Sequence, residues 1–88
     1  MADSFDKISA QLEKEQWPQV YMFKFIVPNE PELIAKVTVL FDATADLKLH
    51  PSKTGKYVSV GAKEMMMDSK SVVEKYRKAS LIKGIIAL

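Results

Sequence analysis

The order of the hydrophobic patterns after Pro18 constrains the fold of this chain more than any other feature. Residues 20–27 (VYMFKFIV) alternate as a β-strand does and are rich in β-branched and aromatic residues. A helix-period pattern follows, then two short alternating segments separated by a glycine turn, a second helix-period pattern and a final apolar segment. This order predicts an α+β, ferredoxin-like βαββαβ domain, in which a four-stranded antiparallel sheet carries two helices on one face.

Turn signals place the remaining strands. Residues 47–50 (LKLH) alternate and end at Pro51, which cannot donate a ladder hydrogen bond, so this segment is predicted to be an edge strand. Gly55 is expected to take a positive φ in the hairpin turn before a third strand over residues 57–64. Residues 81–88 are predicted to form the last strand, and right-handed crossovers would place it beside strand one, with strands one and three central.

Helical patterns fill the segments between the strands. Apolar residues recur at helical spacing over residues 33–41, and Asp68 or Ser69 is expected to cap a second helix. Residues 1–16 are predicted to form a short N-terminal helical extension, which precedes the ferredoxin-like domain of residues 17–88.

Composition narrows the function classes. The 88 residues include no cysteine and one histidine, which removes disulfide bonds, thiol catalysis and the usual zinc ligand sets, and we expect no cofactor. No segment approaches the roughly 20 apolar residues of a membrane span, and the acidic N-terminus does not resemble a secretory signal. A cytoplasmic location is therefore expected, and a net charge of +2 is too small to indicate nucleic acid by itself.

Signals of catalysis are weak. His50 is the only histidine, no serine lies in a nucleophile elbow, and no glycine-rich phosphate loop is present. We therefore expect a solvated histidine at a sheet edge and predict that the chain is not an enzyme. Residues 65–67 (MMM) are expected to fill gaps in the core, with an adaptable binding patch as the alternative. The segment 28–31 (PNEP) is expected to begin a helix, with Asn29 or Glu30 at the cap, rather than to bind an anion.

The sheet face opposite the helices is the candidate interaction surface. Strand parity predicts four lysines on this face and no acid, although the chain as a whole is nearly balanced. A solvated surface is the common outcome of such a pattern, whereas an RNA-binding sheet needs exposed aromatics on its central strands, and only Tyr57 qualifies. Self-association around an apolar centre of Met22, Ile26 and Ile85 is a third option. The predicted interface residues are Lys24, Lys48, His50, Tyr57, Lys63 and Lys83, and Ser59 is predicted to lie on the same face.

Three segments carry a resemblance to a known family: residues 25–34 (FIVPNEPELI), 51–60 (PSKTGKYVSV) and 81–86 (LIKGII). They resemble the YbeD-like family of small uncharacterised bacterial proteins over roughly residues 17–88. The resemblance implies the same βαββαβ sheet and a similarity to ACT domains, which bind small effectors such as amino acids and regulate metabolic enzymes. Those domains usually carry a glycine after strand one, where this chain has residues 29–32 (NEPE), so the resemblance transfers no binding residue.

These patterns together predict a small regulatory or interaction module without enzymatic activity. ACT-like binding of a small effector or of a partner protein is the first hypothesis, and self-association is included in it. A nucleic-acid-binding sheet platform is the alternative, which the shortage of exposed aromatics disfavours. No membrane partner is expected.

Overall fold

Three helices and four strands make up residues 6–88, the part of the protein that the computed structural model describes. Residues 1–5, the first part of the predicted N-terminal extension, lie outside the described residues. The α+β class predicted from the sequence is confirmed. The elements are α1 (Asp6–Leu12), β1 (Gln19–Pro28), α2 (Pro31–Thr38), β2 (Asp46–Pro51), β3 (Tyr57–Met66), α3 (Ser69–Ala79) and β4 (Ile86–Ala87).

The four strands form one antiparallel sheet in the order β2-β3-β1-β4. The long strands β1 and β3 are central and pair from Gln19 opposite Met66 to Pro28 opposite Tyr57. β2 is an edge strand, as Pro51 predicted, and β4 lies beside β1. The expected central positions of strands one and three are therefore confirmed.

The core lies on one face of this sheet, between the strands and the three helices. Alternate residues of β1 and β3 point into it, because successive side chains of a strand face opposite sides. Phe25 and its partner Val60 are fully buried there, as the predicted parity of β1 requires. The buried hydrophobic residues are Leu12, Phe23, Phe25, Val27, Leu33, Val37, Phe41, Val58, Val60, Ala62, Met66, Val72, Val73, Tyr76, Ala79 and Ile82.

The last strand is much shorter than predicted. Residues 81–88 were expected to be extended, but only Ile86 and Ala87 pair with β1. The preceding residues form turns, in which the Ile82 N–H donates to the Ala79 carbonyl at 2.9 Å. Gly84 has a φ of 77°, which no strand residue adopts, and Ile82 is buried in the core. Ile82 therefore packs into the core at the end of α3 before the chain reaches the sheet, whereas Leu81 is exposed.

Capping and turn residues lie close to where the sequence placed them. Asp68 caps α3, since its carboxylate accepts the Ser71 N–H at 2.7 Å. Hydrogen bonds from the Ser71 side chain and from the Ser71 N–H lower the pKa of Asp68. Glu30 occupies the cap position of α2 without a side-chain cap bond, whereas the Asn29 amide donates to the Gly55 carbonyl at 2.8 Å. Gly55 has a φ of 75°, which confirms the predicted positive φ in the hairpin turn.

One charged pair interrupts the core face of β3. Glu64 is buried and forms an ion pair with Lys75 of α3. The second carboxylate oxygen of Glu64 accepts the Asp42 N–H at 3.0 Å, and the Lys75 ammonium lies 4.8 Å from the centre of the Phe41 ring. The pair therefore joins β3, α3 and the segment after α2 through groups that water barely reaches.

Side chains attach α1 to the rest of the fold. Leu12 is buried in the core, and Ile8 packs against the core in a partly buried position. The Trp17 indole N–H donates to the Leu12 carbonyl at 2.9 Å. These contacts place α1 beside α3, next to the start of β1.

Candidate functional site

The sheet surface opposite the helices is the candidate functional site, and we call it the open face. Cross-strand partners lie on the same side of a sheet, so the pairing register defines its members. One row across the sheet, for example, runs from Met22 through Lys63 to Asp46. The open face consists of Val20, Met22, Lys24, Ile26 and Pro28 of β1, Asp46, Lys48 and His50 of β2, Tyr57, Ser59, Gly61, Lys63 and Met65 of β3, and Ile86 of β4.

Five of the six predicted interface residues lie on the open face. All five have exposed side chains, and they are Lys24, Lys48, His50, Tyr57 and Lys63. The structure therefore brings them onto one continuous surface. The sequence could identify them because the parity of β1, β2 and β3 follows from their alternating patterns.

Three details of the predicted face are wrong. Lys83 is exposed in the turn before β4 and belongs to no strand, because the last strand starts only at Ile86. For the same reason Ile85 packs against the core, and Ile86 lies on the open face in its place. The face also contains an acid, since β2 begins at Asp46, directly opposite Lys63.

Large apolar side chains are exposed on this surface among the lysines. The described residues include ten exposed large hydrophobic side chains, and half of these lie on the open face. Met65 is one of them, although the sequence predicted that the methionine run fills the core, and only Met66 of that run is buried. Val20, Met22 and Met65 lie at one end of the face and Tyr57 and Ile86 at the other, and the row of Lys24, Gly61 and Lys48 separates the two groups. The five residues are Val20, Met22, Tyr57, Met65 and Ile86.

A groove of about 480 Å³ crosses one end of the open face. Its centre is the row in which Ile26, Ser59 and His50 lie side by side on three strands. Ser52 contributes a hydroxyl that accepts the Tyr57 N–H at 3.2 Å, so its orientation is fixed by the hairpin. The walls are mainly apolar with a few polar groups, and the lining residues are Ile26, His50, Pro51, Ser52, Tyr57, Ser59 and Ile86. The alternating pattern of the sequence predicts that Ile26, His50, Tyr57 and Ser59 lie on this face. It does not predict the positions of Pro51, Ser52 and Ile86, because these are determined by where β2 and β4 begin and end.

A gap between two lysines lies next to the groove. Gly61 is the cross-strand partner of both Lys24 and Lys48, and a Cβ atom added to Gly61 would meet nothing within 4 Å. The backbones that carry the two lysines are therefore about 10 Å apart, with no side chain between them. Two ammonium groups on either side of an open space can hold one carboxylate.

The basic excess of the chain is concentrated on this side of the sheet. Three lysines and one acid, Asp46, lie on the open face, and Lys53 and Lys56 lie in the hairpin turn at its end. The other described residues include eight basic and nine acidic side chains. The open face and its hairpin are therefore the positively charged part of a nearly neutral molecule.

Metal ligands and membrane-spanning helices complete the description of the side chains and helices. Within residues 6–88, no three histidine, cysteine or acidic side chains are placed so that they could hold a metal ion. Over the same range, every helix is too short or too polar to cross a lipid bilayer.

Comparison with known proteins identifies the family. A family model described as "Protein of unknown function (DUF493)" matches residues 13–86. The chain belongs to the DUF493 family. YbeD is also a member of DUF493, so the resemblance seen in the sequence is confirmed. The segment shared with DUF493 contains every residue of the open face and begins after α1. No curated protein and no solved structure matches the chain.

Proposed function

We propose that this DUF493 protein is a non-enzymatic interaction module whose open face binds an acidic surface of a protein partner. The observation that carries the proposal is the mixture on that face of half-exposed apolar side chains with three lysines. Burying the apolar groups would supply affinity, at about 25 cal/mol per Å² of apolar surface. The lysines would supply orientation and selection against basic partners.

The gap at Gly61 gives this partner a specific anchor. A glutamate or aspartate that enters above Gly61 is flanked by Lys24 and Lys48, and Asp46 is the one acid that lines the same depression. Exposed ion pairs contribute little one at a time, so we expect the lysines to determine which partner binds and the apolar residues to determine how tightly it binds.

The strand arrangement supports a ferredoxin-like assignment, which we make on topology alone. Both helices that follow strands, α2 and α3, pack on the same sheet face, and the order β2-β3-β1-β4 is what a split βαβ unit produces. Many unrelated functions occur on this arrangement, so the proposal is argued from the surface and not from the fold. A cytoplasmic location stays a prediction from the absence of cysteine.

A small effector is the second candidate, and the groove favours it. A space of about 480 Å³ with apolar walls and the side chains of His50 and Ser59 has the size and lining of a small-molecule site. This role would make the module regulatory, as in the ACT-like hypothesis. Nucleic acid is disfavoured, because Tyr57 is the one aromatic residue on the open face and base stacking needs several.

Charge reversal tests the main proposal. The variant Lys24→Glu/Lys63→Glu changes two exposed residues of the open face, and its matched control, Lys70→Glu/Lys78→Glu, changes two exposed residues of α3. We expect both to melt within about 2 °C of the parent, since surface changes away from packing alter stability little. Proteins cross-linked to the tagged parent in cells should be lost with the first variant and kept with the second.

The decisive step is a charge swap. The captured partner is identified by mass spectrometry, which also locates its cross-linked surface. Acidic residues of that surface are then changed to lysine, and this change should restore binding to the Lys24→Glu/Lys63→Glu variant. Unchanged capture by that variant would contradict the proposal. A rise in melting temperature with free amino acids in the parent, abolished by Ile26→Trp in the groove, would instead favour the effector.

A further inference from the structure

Nothing in the described backbone requires a glycine at position 61. Gly61 lies within β3, a central strand, where a residue without a side chain weakens the sheet. Its pairing with β1 and β2 continues without a bulge, and the glycines with positive φ are Gly55 and Gly84. A Cβ atom on Gly61 would meet nothing of residues 6–88 within 4 Å. A larger residue would therefore fit, and a glycine at such a position often marks the close approach of a ligand.

The position above Gly61 is a small depression with an excess of positive charge. Its volume of about 120 Å³ is large enough for a carboxylate group, and Lys48, Lys63 and Asp46 are among the residues that line it. Lys24 adjoins it from β1 as a cross-strand partner of Gly61. The three lysines form no ion pair within residues 6–88. Three ammonium groups against one acid suit a single anionic group, which they hold by charge-assisted hydrogen bonds.

The groove begins one row further along the same strand. Ser59 forms its floor, two residues from Gly61, so the two positions are about 7 Å apart. Ile26 and Tyr57 contribute to its apolar walls. The Ser59 hydroxyl and the His50 imidazole make no hydrogen bond within residues 6–88, so both are available to a ligand. An apolar group in the groove would thus lie about 7 Å from an anionic group above Gly61.

We infer that this surface binds a small carboxylic acid with an apolar body, whose carboxylate lies above Gly61 and whose body fills the groove. Charge complementarity selects the carboxylate, and the apolar walls select an aliphatic or aromatic body. A free α-amino acid fits less well, since its ammonium group would lie among the lysines. An acidic side chain of a protein partner would occupy the same position, so ligand and partner would compete. The inference rests on the small-effector candidate and names its ligand class.

The probe for this site is 4-phenylbutanoate, because three methylene groups give its ring and its carboxylate the required separation. We expect its titration at pH 7 to shift the amide NMR signals of Ser59 and Gly61 with a dissociation constant of about 1 mM, which is typical of a ligand of this size. The matched control is 4-phenylbutanamide, which has the same shape without the charge and should bind at least fivefold more weakly. Butanoate, which lacks the ring, should bind at least tenfold more weakly.

Substitutions separate the two parts of the site. Gly61→Val fills the depression and leaves the groove open, and it should not lower the melting temperature, since valine favours strands. This variant should bind 4-phenylbutanoate no more tightly than the amide. Lys24→Met/Lys48→Met should weaken 4-phenylbutanoate about fivefold, whereas the control Lys70→Met/Lys78→Met, on the exposed side of α3, should change its affinity less than twofold.

The outcomes distinguish the ligand class from the effector role. Equal binding of the acid and the amide by the parent, or parent-like binding of the acid by Gly61→Val, would overturn the inference. Signal shifts with phenylalanine but not with 4-phenylbutanoate would overturn it and leave the effector role in place. The absence of shifts with both compounds would contradict the effector role as well. None of these results affects the charge-swap experiment, in which no small ligand takes part.

Discussion

The substitution Lys75→Met tests the buried ion pair of the core. Removing one partner of a buried pair costs about 3–5 kcal/mol, because the other charge is left without compensation. The side chain of Glu64 is only 7% exposed, yet it keeps one bond, from the Asp42 N–H at 3.0 Å. We therefore expect the lower part of that range, about 3 kcal/mol, out of a total stability of about 4–13 kcal/mol for a domain of this length.

Urea unfolding followed by far-UV circular dichroism at pH 7 measures this loss. With a slope of about 1.5 kcal/mol per M, the midpoint should fall by about 2 M. Lys78→Met is the matched control, since Lys78 is exposed on the same helix, and it should change the free energy of unfolding by less than about 0.5 kcal/mol. The double variant Glu64→Gln/Lys75→Met, which buries no charge, should be more stable than Lys75→Met. A Lys75→Met protein within about 1 kcal/mol of the parent would refute the reasoning.

Phe25→Ala should lower the free energy of unfolding by about 3–5 kcal/mol in the same assay, because the ring is fully buried, and parent-like unfolding would contradict the assigned sheet parity. Gly84→Ala should destabilise more than Gly55→Ala: both glycines have positive φ, but a Cβ atom on Gly84 would lie 2.8 Å from the Pro28 ring, whereas one on Gly55 meets nothing within 4 Å. Equal melting temperatures of the two variants would rule out the steric contribution. Burial raises the pKa of Tyr76 in the folded state, so its contribution to stability is complete below the unfolded pKa of about 10 and is lost as pH rises above it. Tyr76→Phe should flatten this alkaline loss, measured as melting temperature against pH.

The central sheet was predictable because its pattern is local. Alternation over residues 20–27 has a period of two, and burial of one face fixes which residues point inward. The same argument placed Lys24 and Lys63 on the open face. Gly55 and Asp68 were predictable because their turn and cap geometries favour few residue types.

The errors arose where tertiary contacts override pattern. Residues 81–88 have a strand-like composition, but most of them form turns. Gly84 has a positive φ there, and Ile82 is buried in the core. Asp46 was missed because β2 begins at residue 46 and not at residue 47, as the alternation predicted. The start of this strand is set by its pairing with β3, which the local pattern does not contain. Glu64 is charged and yet lies at a core position of β3. Its burial is tolerable because its carboxylate pairs with Lys75, eleven residues away on another element, and accepts the Asp42 N–H.

The attachment of α1 allows part of the molecule to open on its own. A helix of seven residues is too short to persist in water, so it depends on Leu12 in the core and on the bond from the Trp17 indole to the Leu12 carbonyl. Undocking α1 would break no hydrogen bond of the sheet, and this local unfolding therefore requires less free energy than global unfolding. Trp17 is the only tryptophan in the chain, and its fluorescence would shift to longer wavelength when the indole becomes solvated. The protein thus carries an intrinsic optical reporter of α1, which distinguishes the detached helix from the unfolded sheet.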